Sequence, residues 1–445
     1  MKKVLLLLTA VLVLALGCSK KESSNAASSS GGGQKVHIVV GGWPSADVGF
    51  DAALPGFYAQ YPDIEVEVQM AQTEAYHQAL QTSLAAGQGA PDVAMIEGAY
   101  IAQYRDSTAL INLLDAPYNA ERYKSNFVAL KWNQAYSSDG KRLVAFAWDL
   151  GPSTFYYRQD ILKELGLPTE PEDVAKLTST WSGMLDLAKK VNIPGQRWLL
   201  NEAQAMYMEY FNNRDFYNEK LELQLDRPGD LDCLNAVIAM RKGGLDMNAN
   251  MWSSEGVAAI DNGAVVGIIS GAWFGGFLKD DFDPDGIGNW RATVLPGNIK
   301  DMNLGGSFCA IPEQSKQKDA AWKFLEYMLA TKKGQNDMFA AVDYFPAFEP
   351  AWDDPIYQEP DPYFGGQKTR ALYKQLSENL DRPVYATIMD VTVEAAIGSA
   401  INTGIERNLG AQALKTFIKQ EIETATAELK RQQIQTLRDA GVWKD

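Results

Sequence analysis

The apolar positions of the chain fall into blocks whose period changes along the sequence. Val36-His37-Ile38-Val39-Val40 is a short apolar run ending at Gly41-Gly42, the pattern of a buried strand. Phe50, Leu54, Phe57 and Tyr58 then follow helical spacing up to Pro62, which lacks a backbone donor and stops the helix. Ile64, Val66, Val68 and Met70 alternate with Glu65, Glu67 and Gln69, the two-residue period of a half-buried strand. Tyr76, Leu80 and Leu84 mark a second helix closed by Gly87, and Asp92 to Ile96 a third strand after Pro91. Strand, helix, strand, helix, strand at this spacing predicts right-handed βαβ units and a parallel sheet. His37 falls inside the first strand and reads as a core or edge histidine.

A second group of elements begins near residue 150. Ser153 to Tyr157 reads as a strand and Asp160 to Leu165 as a helix capped by Gly166. Helical patterns follow at Trp181–Lys190, Asn201–Asn213 and Leu231–Lys242, then strands at Ala264–Ser270, Arg291–Leu295 and Gly306–Ile311. Ala320 to Leu329 is an amphipathic helix. Ala411 to Ala440 is a long one, with Leu414, Phe417, Ile418 and Ile422 as its buried stripe. The pattern predicts an α/β protein with two sheets.

The N-terminus is of another kind. Lys2-Lys3 precedes a fourteen-residue apolar run, Val4 to Gly17. That is short of the roughly 20 residues needed to cross a bilayer and reads as a signal peptide over residues 1–17. The run ends Ala15-Leu16-Gly17-Cys18, which resembles a bacterial lipobox with Ala15 where that pattern prefers Leu. The resemblance implies cleavage after Gly17 and diacylation of Cys18, a membrane anchor outside the cytoplasm. The alternative is soluble secretion with an incidental cysteine. Residues 19–35, rich in Ser and Gly, supply no core and complete a flexible tether over 18–35. Cys233 and Cys309 remain, either as a disulfide or as two buried free thiols.

With 445 residues, 46% of them hydrophobic, the chain is long enough for more than one core. Its net charge of −15, with no basic block, argues against nucleic acid or an anionic membrane surface as a partner. Only two histidines, His37 and His77, leave little room for His-based metal or catalytic sites, and no metal or cofactor is expected. GxSxG, HExxH, GxxxxGK[ST] and CxxC are absent. The 56 acidic residues keep a two-carboxylate glycoside hydrolase open.

In open α/β sheets, ligands bind beyond the carboxyl ends of the strands. Those ends carry Gly41-Gly42-Trp43, Glu97 with Tyr100, Trp148-Asp149, and Gly271-Ala272-Trp273-Phe274-Gly275-Gly276. Flat aromatic faces suit the C–H faces of sugar rings, and carboxylates accept hydrogen bonds from neighbouring hydroxyls. Taken singly, most aromatic residues are core; for Trp43 and Trp273, beside glycines, a loop tip facing a ligand is favoured.

Several segments resemble the family 1 extracellular solute-binding proteins of ABC importers. They are Ala90-Pro91-Asp92-Val93, the stretch from Asp149-Leu150-Gly151-Pro152 to Tyr157-Arg158-Gln159-Asp160, and Gly263-Ala264-Val265-Val266-Gly267 running into Gly271-Ala272-Trp273. Thr293-Val294-Leu295-Pro296-Gly297, Gly305-Gly306-Ser307 and the helix from Lys318 to Leu325 follow in the family's order. Arg158 stands where the family usually has Asn. The resemblance implies a two-lobed, type II periplasmic-binding-protein-like fold hinged by crossover segments. Lobe 1 would comprise 36–149 plus 300–345, and lobe 2 would comprise 150–299 plus 346–445. It implies a carbohydrate, often an oligosaccharide, held between the lobes by Trp43, Glu97, Asp149, Tyr207, Trp273, Phe274 and Tyr344. It further implies delivery to a membrane permease, no catalysis and a monomer. His77, Cys233 and Trp322 are expected to be structural. A polyamine or other small solute is the alternative ligand within this fold.

Overall fold

The computed structural model describes residues 35–211, 215–380 and 384–443; the expected signal peptide, Cys18 and the tether up to Gln34 lie outside them. Ten strands follow in order: β1 Val36–Gly42, β2 Ile64–Met70, β3 Val93–Glu97, β4 Phe146–Ala147 and β5 Asp149–Leu150. The other five are β6 Ser153–Arg158, β7 Gly267–Gly271, β8 Trp290–Thr293, β9 Ser307–Ala310 and β10 Phe345–Pro346.

The first sheet has the order β2-β1-β3-β9-β4. Its β2-β1-β3 half is parallel, with the helices Ala46–Gln60 and Thr73–Ala86 as crossovers. The expected all-parallel sheet gives way on the other side, where β9 pairs antiparallel with both β3 and β4. β9 is reached only after the chain has visited the second sheet and returned, so no βαβ rule governs its direction. β2 lies at the edge and turns its glutamates outward, and His37 sits beside it, half exposed, paired with Glu67 at 3.1 Å. Gly41 and Gly42 serve strand packing: a Cβ on Gly42 would lie 2.3 Å from the Met95 sulfur.

The second sheet, β7-β6-β8, is antiparallel throughout. Alternation along β6 buries both of its faces. Phe155 and Tyr157 join a core with Val237, Ile397, Leu414, Ile418 and Ile422, supplied in part by the long helix Ala411–Asp439. Tyr156, Ile268 and Ala292 face Phe274, Phe364 and Tyr373, and this layer is continuous with the core of the first sheet. Cys309 belongs to one core and Cys233 to the other; both are buried free thiols.

Three chain crossings link the sheets. β5 pairs antiparallel with β10, placing Asp149 opposite Pro346 and Leu150 opposite Phe345. The return crossing runs alongside: the Gly151 N–H donates to Asn303 Oδ1 at 2.8 Å, and the Leu304 N–H donates to the Gly151 carbonyl at 2.7 Å.

Candidate functional site

A cavity of about 480 Å³ opens where the crossings meet the carboxyl ends of β1, β3 and β7. Five of the seven expected residues line it: Trp43, Glu97, Asp149, Trp273 and Tyr344.

On the first-lobe side, Trp43 is half-buried and lies nearly parallel to His77, with ring centroids 5.4 Å apart and an interplanar angle of 27°. Tyr100 covers His77 at 4.2 Å and 18°. The histidine is locked in one neutral tautomer: Nδ1 donates to the Thr73 carbonyl at 2.8 Å, and Nε2 accepts from the Glu97 N–H at 3.1 Å. Burial lowers its pKa, which keeps it in that form. His77 is thus a fixed spacer that holds the Trp43 ring and the Glu97 backbone together. Ser45, also in the cavity wall, takes a left-handed backbone (φ 76°) as it starts the helix Ala46–Gln60.

The floor, and the layer beneath it that holds Lys131 and Glu394, is ionisable and buried. Asp149 is 3% exposed, and its Oδ1 accepts from the Ser307 N–H at 2.7 Å and from the Ser307 hydroxyl. Burial pushes its pKa up to about 6, against the opposing pull of Lys131 and Ser307. Lys131 has no exposed surface; burial brings its pKa down to about 8 although Asp149 and Glu97 favour the charged form. Its Nζ donates to the Gly305 carbonyl at 3.2 Å and stands 4.2 Å over the Phe308 ring. Burial also raises Glu97, with Lys131 lowering it and Asp149 raising it further. Glu394, on the helix Asp390–Glu406, is pushed up to about 8 by burial and then by Asp390, Glu97 and Glu209. None of the described lining residues is basic.

The second-lobe wall is aromatic. Trp273 donates from Nε1 to the Leu304 carbonyl at 2.9 Å and lies against bare backbone. A Cβ on Gly151 would come within 1.8 Å of the Leu304 oxygen and 2.8 Å of Trp273 Nε1, and one on Gly271 within 2.5 Å of Nε1. Glycine at 151 and 271 is therefore what lets the indole sit where it does. Trp252 lies nearly parallel to Trp273 (6.3 Å, 18°), and Phe277 and Phe282 meet it edge-on.

Two expected residues are placed elsewhere. Phe274 has no exposed surface and packs beneath the wall, 4.9 Å from Phe282. Tyr207 is fully buried in the second core, where burial and then the Asp230 charge raise its pKa. It sits on a seven-residue helix, Ala205–Phe211, that turns Met206 and Tyr207 inward. Trp148 likewise is core, stacked on Phe50 at 4.7 Å, with Tyr344 edge-on to it. The sequence reading missed Trp252, Phe277, Phe282, Asp281, Gln72 and Thr73. Trp252 had a visible signal: a large aromatic in the polar stretch Asn248 to Ser254, immediately before Ser253, whose hydroxyl accepts from the Gly256 N–H to cap a helix. No cluster of three metal-ligating side chains occurs among the described residues.

Comparison with known proteins agrees with this architecture. A lactose-binding protein of Rhizobium radiobacter is 27% identical over 342 residues, covering 71% of this chain and 75% of that one. An arabinooligosaccharide-binding protein of Halalkalibacterium halodurans is 22% identical over 402 residues, covering 86% and 85%. The solved ABC-transporter-associated binding protein of B. animalis subsp. lactis, in complex with β-1,6-galactobiose, superposes with a TM-score of 0.71 at 22% identity. It covers 89% of this chain and 98% of that one, a likeness that shows the two-lobed fold. The family model for bacterial extracellular solute-binding proteins matches residues 53–362, and the chain belongs to that family.

Proposed function

We propose that the protein captures a carbohydrate, an oligosaccharide, in the cavity between its lobes and delivers it to the permease of an ABC-type importer. The observation that carries this is one cavity lined by aromatic rings from two parts of the chain, Trp43 and Trp252 with Trp273, together with acceptor carboxylates and no base among the described lining residues. Rings stack on the faces of a sugar while Glu97 and Asp149 accept from its hydroxyls. The names of the relatives, which bind lactose and arabinooligosaccharides, and the galactobiose in the superposed structure support the same ligand class.

The lobes in this reading are 36–149 plus 300–345 and 150–299 plus 346–445, with Asp149–Leu150, Asn303–Ser307 and Phe345–Pro346 as the hinge. A ligand that touches both lobes selects the closed form. To move it from 1% to 99% populated requires about 5.5 kcal/mol of preference. Cys18 carries the lipid that holds the protein at the outer face of the cell membrane, the 18–35 tether gives it reach, and the protein acts as a monomer without catalysis.

A thermal-shift panel of neutral oligosaccharides, polyamines and amino acids tests the ligand class. The sugars raise the midpoint; a rise with putrescine or spermidine alone would overturn the proposal. In titrations with the sugar that shifts most, Trp273→Ala weakens binding at least tenfold while the circular dichroism spectrum is kept. Unchanged affinity removes Trp273 from the site.

A further inference from the structure

Trp252 is 51% exposed, the one aromatic among the exposed large hydrophobic side chains of the described residues. It is the most exposed ring of a wall in which Trp273 and Phe277 are half-buried and Phe274 and Phe282 buried, so the apolar surface there is continuous rather than a lone side chain. A second cavity, of about 540 Å³, lies beside it. Trp252, Val257, Asp281 and Phe282 line both cavities, so the two are contiguous around the Trp252 ring. The second cavity adds Ser254, Ala258, Asp261 and Pro284, which do not line the first.

Its chemistry repeats that of the first cavity. Trp252 and Phe282 supply ring faces, Ser254 a hydroxyl, and Asp261 and Asp281 carboxylate acceptors, again without a basic residue among the described lining. The platform is braced from behind: Phe274, Phe277 and Phe282 all meet Trp252 edge-on, at 82–88°. Ser254, Ala258 and Asp261 come from one short helix, Ser254–Asp261, which packs against the turn Leu278–Phe282.

We infer that the two cavities form one continuous track and that Trp252 is the stacking platform between them. The ligand is then a neutral saccharide chain longer than the first cavity holds, with its distal units resting against Ser254, Ala258 and Asp261. This rests on the carbohydrate function proposed above and adds chain length as the property the protein selects.

The test is calorimetric titration of the full chain with arabino-oligosaccharides and β-1,6-galacto-oligosaccharides of two to five units. For the series that binds, wild-type affinity rises at least tenfold from two units to four. Ala258→Trp, on an exposed helix position that lines only the second cavity, abolishes that rise and leaves the two-unit affinity within twofold. Asp261→Asn, which removes a charge without adding bulk, reduces the rise and serves as the second variant. Affinity independent of length in the wild type, or a full rise retained in both variants, overturns the inference. Absence of binding to both series, together with no thermal shift from any neutral oligosaccharide of the panel above, overturns the carbohydrate function itself, a result distinct from length-independent binding.

Discussion

At the scale of single residues, one buried pair of opposite charge lies at and beneath the cavity floor. Asp149 and Lys131 both pay for dehydration, and each is held part-way back toward its charged form by the other. The consequence for pH follows from the direction of each shift. From about pH 4 to about pH 6 the folded protein keeps the Asp149 proton while the unfolded chain has released it. Stability from this group is therefore fully present at low pH and is lost as pH rises through 6, by on the order of 3 kcal/mol. Lys131 works in the opposite sense: the folded state releases its proton first, so its contribution to stability grows as pH rises from about 8 toward the ordinary lysine range. Denaturant titrations of wild type and Asp149→Asn between pH 4 and 7 check the first point. The variant's curve falls less steeply than that of wild type in this window, the remaining slope coming from the other raised carboxyls, Glu97 and Glu394; parallel curves would remove Asp149 as a contributor.

At the scale of elements, the crossing strands are held so closely that backbone replaces side chain. Gly151 sits where the outgoing crossing meets both the return crossing at Leu304 and the indole of Trp273. Gly151→Ala forces the Leu304 carbonyl or the Trp273 ring to move, and the expected result is a loss of about 2 kcal/mol or more in stability together with weakened ligand binding. Chemical denaturation and titration of the same variant measure both. An unaffected midpoint would show that the crossings can separate at this point. This is also where sequence reading stopped. The periodicity of β1, β2 and β6 and of the helices around them is visible because each buries a continuous face. Gly151 and Gly306 are crowded by neighbours more than 120 residues away in sequence, which no local pattern records. Tyr207 was implied by the family resemblance alone, and the sequence around it offers no check on that placement. A seven-residue helix has too little length for periodicity to say which face turns inward.

At the scale of the whole molecule, the site is built from chain segments far apart in sequence, and three of them belong to the crossings. Asp149, Gly305, Gly306, Ser307 and Tyr344 line the cavity and lie on or beside the crossings. The strand ends identified Trp43 and Glu97 because the parallel half of the first sheet gathers the carboxyl ends of β1 and β3 at one edge. Trp273 follows β7 of an antiparallel sheet and was marked by its glycine neighbours instead. Trp252 belongs to a loop before a helix and carries no such topological mark. The antiparallel side of the first sheet was equally hidden, since it depends on where the chain returns.

The aromatic lining gives the protein an optical property. Of its 11 tryptophans, Trp43, Trp252 and Trp273 border the cavity, and Trp252 is the most exposed of them. A molecule that covers its ring takes it from water to a drier surrounding, so emission shifts to shorter wavelength as the cavity fills. The protein therefore reports its own occupancy without a label, and stopped-flow fluorescence follows capture and release in real time. Trp252→Phe is expected to silence most of that signal; a signal of undiminished amplitude would assign it to Trp43 or Trp273 instead.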